Sequence, residues 1–321
     1  NAAIPAIQAP CMRVHPCFLG GDLEAGIFPG QTIKNEANMK NKYVHHLIAL
    51  LFITFSTATA WSQGITTPRT PSPAAKVSQT IGISTVEVDY SRPSVKGREI
   101  WGALVPYGWN VQPFGAKNSA PWRAGANENT VLTLSHPAKI AGQSVPAGSY
   151  GLSFVINKDD SGEVILSKDY RSWGSFFYDP ARDQMRAKIQ LRNIAHTELL
   201  TYDFINLNKN GGELVLNWEK KQFPVSIEFA VDEIVMANAE QELKGALGFN
   251  WQGPSSAATY AMQNKISLDK AAVWIDQAIA QNKSYATLNT KAALLRQSGK
   301  TAEADKIQAD ATAIATEAEL N

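Results

Sequence analysis

From about residue 76 to residue 230 the chain shows no helical period. Short runs of β-branched and apolar residues are cut at close spacing by Gly, Pro, Asn and Asp. Ile83, Val86 and Val88 stand among polar neighbours in ISTVEVDY, and TVLTLS follows at 130–135. KIAGQSVPAGSYGLSFVI holds a hairpin-like turn at Ala141-Gly142 and a strand ending at Ile156. Asp159-Asp160-Ser161-Gly162 is a turn before EVILS, and MRAKIQLRNI alternates through ten residues. LLTYDFINL, Asn210-Gly211-Gly212, ELVLNWEKK and FPVSIEFAV complete a meander. Short strands between turn residues predict an antiparallel β-sandwich, jelly-roll-like in character. The lack of strand–helix alternation argues against a doubly wound sheet. Neither GxGxxG after a strand nor GxxxxGK[ST] occurs, which excludes nucleotide-binding folds of those types.

Past Val231 the texture changes. Ala, Gln, Glu, Lys and Leu dominate, and the pattern predicts helices in residues 231–321. IVMANAEQELKGAL forms one that ends near Gly248, Gly253-Pro254 marks a break, and SSAATYAMQNK restarts the helix. LDKAAVWIDQAIAQ and YATLNTKAALLRQSG come next. The last helix is predicted from Thr301, as N-cap, to Leu320. Leu268-Asp269-Lys270-Ala271 and Thr301-Ala302-Glu303-Ala304 lie 33 residues apart, and at the same offset Trp274 meets Ile307 and Ala278 meets Ala311. This weak repetition is similar to tetratricopeptide hairpins, whose period is about 34 residues. Such hairpins present a protein-binding face; the plainer expectation is a generic helical tail that caps the β-domain.

The start of the chain predicts export. Met39 is followed by Lys40 and Lys42, then by an apolar run of 14 residues from Leu47 to Ala60. A short basic region, an apolar core and small residues at its end make a secretory signal peptide over residues 39–62. The run is short of the roughly 20 residues of a membrane-spanning helix, so no stable span is expected after cleavage. Cleavage is expected before Gln63, with a cut before Trp61 as the alternative. Residues 1–38 read as upstream sequence translated in frame. Residues 63–75 (QGITTPRTPSPAA) form an extended leader to a β-domain at 76–230, and the mature protein is expected in the periplasm or outside the cell.

The only cysteines, Cys11 and Cys17, precede that signal. The mature chain therefore has no disulfide, thiolate nucleophile or thiolate metal site, and it relies on its apolar core. A net charge of +1 and the absence of a Lys/Arg-rich run give no case for nucleic acid.

The polar chemistry concentrates in two stretches: DYSRPSVKGREIWG at 89–102 and WRAGANENT at 122–130. Arg92, Arg98 and Arg123 can converge on an anion, since a guanidinium grips a carboxylate or phosphate with two parallel hydrogen bonds. Tyr90, Trp101, Trp109 and Trp122 are candidate walls, and Asn127 and Glu128 add an acceptor and a base. The competing expectation is structural: Arg98 or Arg123 pairs with Glu99, Glu128 or Asp89 to pin the loops, while the tryptophans fill core. Asp89 and Glu128 are also the candidate carboxylate pair for a hydrolase. His136 and His196 are isolated, which disfavours a Ser–His–Asp triad or a zinc site. Asp159-Asp160-Ser161-Gly162 lacks the distal Glu of a calcium loop. No metal and no cofactor is expected.

YSRPSVKGREIWG with PWRAGANENT and then PAGSYGL resembles domain-of-unknown-function family 2911 over roughly residues 70–230. The resemblance implies an exported bacterial β-rich domain with no established activity, often followed by a helical tail. A dihydrolipoamide dehydrogenase label carried by some members finds no support here, because paired redox cysteines and a dinucleotide fingerprint are both lacking. The functional expectation is a binding module for an anionic or sugar-like ligand at the Arg/aromatic cluster. The alternatives are a carboxylate hydrolase in the same cleft and a protein scaffold acting through residues 231–321.

Overall fold

The computed structural model describes residue 67 and residues 71–316. The expected signal peptide and upstream segment lie outside the described residues. Twelve strands are described: β1 (Ala74–Ile81), β2 (Ser84–Ser91), β3 (Asn110–Val111), β4 (Ser119–Ala120), β5 (Thr130–Leu134), β6 (Ala138–Ile140), β7 (Gln143–Val145), β8 (Gly148–Ile156), β9 (Ser161–Ser167), β10 (Asp183–Gln190), β11 (Arg192–Ile205) and β12 (Gly211–Phe229). Five helices follow: α1 (Val231–Glu242), α2 (Gln252–Gln263), α3 (Leu268–Gln281), α4 (Tyr285–Gln297) and α5 (Thr301–Ile314).

The strands form the expected antiparallel sandwich. One sheet has the order β1-β2-β5-β8-β9-β10, the other β11-β12-β6-β7, and β3-β4 is a separate small hairpin. Alternation along each strand supplies the inner faces. In β2, Val86, Val88 and Tyr90 are buried, whereas Glu87 and Asp89 point outward. Leu132, Leu152, Phe154 and Leu166 of the first sheet join Ile140, Leu214, Leu216, Trp218 and Ile227 of the second in one continuous core. Val155 and Ile165 alternate to the other face of the first sheet. There they meet Ala120 and Tyr178 in a smaller core beneath the β3–β4 hairpin.

Several boundaries differ from the sequence expectation. Ile83 is not in a strand: it is the second residue of a two-residue turn between β1 and β2, with Gly82 at φ +60°. ELVLNWEKK and FPVSIEFAV are one strand, β12, despite Pro224. That strand pairs with β11 as far as Gln222 and with β6 from Ile227, so Pro224 lies where no ladder bond requires its missing N–H. MRAKIQLRNI is split at the buried Leu191, where the chain leaves one sheet for the other. His196 is within β11.

Helix α1 bridges two cores. Val231, Ile234 and Val235 pack on the sandwich, while Met236 and Ala239 pack with α2 and α3. A Cβ on Gly82 would come within 2.5 Å of Val231, so the β1–β2 turn must be glycine for α1 to seat. The first helix ends at Glu242 rather than near Gly248, and Ala246–Phe249 is a separate 3-10 turn. Gly253-Pro254 does not break a helix; it lies in the first turn of α2, where a missing N–H costs no intrahelical bond. Helix α4 carries a capping box between Ser284 and Thr287. Thr301 opens α5 with no capping bond, the cap position being Lys300, and the helix ends at Ile314 rather than Leu320. The 33-residue offset has a structural counterpart: Ala271 and Ala278 of α3 and Ala304 and Ala311 of α5 are all buried, as small residues at close helix crossings.

The tail is also tied to the sandwich by polar bonds. Lys209, in the β11–β12 loop, reaches Asp232 at 2.9 Å and Asn264 at 2.8 Å, and Tyr260 donates to Asp232 at 2.8 Å. Burial first, and then the bond to Asp232, pushes the Tyr260 phenol up to about 12. A phenol held more tightly in the folded state stabilises fully below its unfolded value of about 10, and that contribution is lost as pH rises through about 12. Tyr260→Phe is therefore expected to cost about 1 kcal/mol at neutral pH. In urea titrations the difference from the parent protein shrinks toward zero above pH 11. A constant difference across that range would show that the hydroxyl does not act through its proton.

Candidate functional site

The two polar stretches meet. Loop residues after β2 and loop residues before β5 line a cavity of about 360 Å³, joined by Trp218 of β12. Lys96 and Arg98 come from the first stretch, and Trp122, Arg123 and Asn127 from the second.

The first stretch runs out of β2 and along β11. The Val95 N–H donates to the Glu198 carbonyl at 2.9 Å, and the Leu200 N–H donates to the Pro93 carbonyl at 3.0 Å. Lys96 and Gly97 then adopt left-handed backbone (φ +49° and +68°), which turns the chain back toward the cavity. Within this turn Arg98 donates from Nε to the Val95 carbonyl at 3.1 Å and from Nη2 to the Ser94 carbonyl. Arg98 thus braces its own loop while lining the cavity.

The second stretch is held from below. Tyr202 donates its hydroxyl to the Ala124 carbonyl at 2.9 Å, and Thr130 donates to the same oxygen at 3.1 Å. Ala124 and Asn127 have positive φ (+55° and +61°), an unusual conformation for side-chain-bearing residues that this anchoring sustains. Arg123 donates from Nη1 to the Asn127 carbonyl at 2.6 Å, and its guanidinium lies 4.9 Å from the Phe176 ring centroid. Burial lowers the Arg123 pKa from its ordinary value, although an arginine remains charged at neutral pH. Among the described residues no carboxylate forms an ion pair with Arg123, Arg98 or Lys96.

Trp122 replaces β5 beside the far end of β8, exchanging backbone hydrogen bonds with Phe154 at 2.8 and 2.9 Å. Its ring stacks on Trp218 (5.8 Å, 16°), and Trp101 meets both rings edge-on at 5.8 Å. The indole N–H groups of Trp101 and Trp218 are buried and have no acceptor among the described residues. Such orphan donors are costly and uncommon.

The other candidates lie elsewhere. Tyr90 is a core residue, edge-on to Tyr202 at 4.8 Å, and its hydroxyl accepts from the Tyr202 N–H. Arg92 is structural: Nε donates to the Leu200 carbonyl at 3.0 Å and Nη2 to Thr201 at 2.6 Å, tying β2 to β11. Trp109 belongs to the smaller core, against Tyr178 and beneath Arg186. Asp89 is on the outer face of the first sheet, 3.2 Å from Lys76. Neither Asp89 nor Glu128 lines the cavity, so the carboxylate pair of the hydrolase reading does not face a common groove. His136 bonds Ser135, and His196 is beside Glu198 at 3.3 Å. Asp159 accepts from Ser161 within its own turn, and Asp160 pairs with Lys221.

Comparison with known proteins bears on this domain alone. The model of the family described as protein of unknown function (DUF2911) matches residues 72–227. The DUF2911 match therefore spans the sandwich from the cavity-lining Ser72 into β12 and includes both polar stretches and Trp218, but it stops before α1. No curated protein and no solved structure matches the chain.

Lys96 and Trp218 are lining residues that the sequence pattern does not mark as site candidates. Lys96 was inside the stretch already singled out, next to a glycine that signals a turn. Trp218, in ELVLNWEKK, carried only the alternation that marks an inward-facing strand residue.

Proposed function

We propose that the protein is an exported binding module for a small anionic ligand, held in the cavity between the two polar loops. The observation that carries this reading is the charge of the lining: among the described residues, Lys96, Arg98 and Arg123 contribute three cations and no carboxylate contributes. A partly buried guanidinium without a counter-charge is stabilised by an anion more strongly than an exposed one, because water competes less. Asn127 adds a neutral polar side chain to the lining. The basic, apolar and small-residue pattern of residues 39–62 supports export.

Thermal melting of the protein with inorganic phosphate, small carboxylates, sugar acids and neutral sugars tests the reading. An anion that binds only the folded state stabilises it by about 2.7 kcal/mol at a hundredfold excess over Kd. Neutral sugars are expected to give no shift. Lys96→Gln is the decisive variant, because Lys96 is exposed and its loop is held through the backbone N–H to Glu198 at 2.9 Å. It is expected to fold normally and bind about three- to tenfold more weakly. No shift with any anion, or a Lys96→Gln variant that binds as the parent does, overturns the proposal.

A further inference from the structure

A second surface, which meets the cavity wall only where Arg123 lies over Phe176, is formed by the β3–β4 hairpin and the loop between β9 and β10. These loops are exposed yet carry large apolar side chains: Val111 is 70 %, Phe114 63 %, Trp173 51 % and Phe177 49 % accessible. Isolated exposed apolar residues are ordinary, but a contiguous cluster is not. Phe114 packs edge-on against Phe176 at 5.8 Å and Phe177 at 6.0 Å, so the two loops make one patch. They are also fixed to each other. The Ala116 N–H donates to the Phe176 carbonyl at 2.8 Å, and a Cβ on Gly115 would come within 2.2 Å of that oxygen. The aromatic rings are thus presented on a braced platform, with the smaller core of Ala120, Val155, Ile165 and Tyr178 beneath it.

Basic side chains outnumber acids on these two loops, with Lys117, Lys168, Arg171 and Arg182 against Asp169 and Asp179. Lys117, Lys168 and Arg171 are exposed on the same loops and form no ion pair among the described residues. The two acids of these loops are engaged locally: Asp169 pairs with Arg182 at 3.0 Å, and Asp179 accepts from the Ala181 N–H at 3.0 Å. Aromatic rings flanked by basic side chains match the headgroup layer of an anionic bilayer. Rings partition into that interfacial zone, and lysine or arginine is drawn to the negative surface potential. No helix among the described residues is long and apolar enough to cross a membrane. We infer that this patch is a peripheral docking surface for an anionic lipid bilayer, engaged through Phe114, Trp173 and Phe177 with Lys117 and Arg171 at its rim.

The test is co-sedimentation of the protein with vesicles of pure phosphatidylcholine and with vesicles of equal parts phosphatidylcholine and phosphatidylglycerol. Binding to the anionic vesicles is expected, weakening with added salt, with little binding to the neutral ones. Phe114→Ser with Phe177→Ser is expected to reduce binding at least about tenfold. Lys117→Gln with Arg171→Gln is expected to reduce it about three- to tenfold and to flatten the salt dependence. All four side chains are exposed, so melting temperatures should stay close to the parent's. Several results overturn the inference: failure of the parent protein to sediment with anionic vesicles, unchanged sedimentation of the aromatic variant, or retention on an insoluble glycan without vesicle binding. So does self-association in sedimentation velocity that the aromatic variant abolishes while vesicle binding is absent. The cavity proposal is unaffected by any of these, since its anion titration is read on soluble ligands.

Discussion

Trp218→Ala is expected to lose about 3–5 kcal/mol in urea or thermal unfolding. Trp218 is 1 % exposed and is the residue on which two loops and one strand converge. Its ring stacks on Trp122, meets the edge of Trp101, and lies in the same core as Phe223 and Phe154. Truncation removes a large apolar area and leaves a void that the surrounding β-strands cannot close, because their backbone ladders fix their spacing. A domain of this size is stable by only about 5–15 kcal/mol, so the variant loses about a fifth or more of the total. The loss of one unpartnered indole N–H recovers part of that cost, which places the expected value below that of a fully satisfied tryptophan. Trp173→Ala serves as the internal control: half-exposed in a loop, it should change stability by less than about 0.5 kcal/mol. Equal effects for the two substitutions would show that the stacked tryptophans are not the keystone of this end of the sandwich.

Gly174→Ala is expected to cost about 1–3 kcal/mol and to abolish the melting shift produced by an anion. Gly174 has φ +58°, where an L side chain is strained, and its added Cβ would come within 2.4 Å of the Arg123 guanidinium carbon. The guanidinium must then leave the Phe176 ring or release the Asn127 carbonyl, and either move disperses the cation from the cavity wall. Gly299→Ala separates strain from position. Gly299 has φ +78° at the end of α4, where a Cβ meets open space. It should pay only the backbone cost of about 1 kcal/mol and leave ligand binding intact. If Gly174→Ala binds anions as the parent does, Arg123 is a loop brace rather than a ligand residue.

The texture of the chain was legible without coordinates. Alternation of period two gave the sandwich strands, Ala141-Gly142 gave the β6–β7 turn, and LDKAAVWIDQAIAQ gave α3 residue for residue. Local chemistry decides these features, because side-chain direction and turn backbone depend on neighbours in sequence. Pro224 misled in the other direction. A proline marks a break only if the missing N–H is needed, and that depends on which strand lies alongside.

The candidate site divided along the same line. Both polar stretches were recognisable as loops rich in arginine and turn residues, and the structure brings them to one cavity. The sequence could not say which of their side chains face it. Asp89 and Tyr90 are adjacent in the chain, yet the strand pleat sends one outward to Lys76 and the other into the core beneath Tyr202. Arg92 and Arg98 are six positions apart with the same chemistry. One is consumed by Leu200 and Thr201 because β11 passes beside it, and the other remains at the cavity. Trp218 enters from more than ninety residues away only because β12 crosses beneath both loops. The sequence by itself determined the strands, the turns and the presence of two arginine-bearing loops, since each is a local preference. The tertiary structure alone decided which cations share one cavity, because that depends on register and on contacts between residues far apart in the chain.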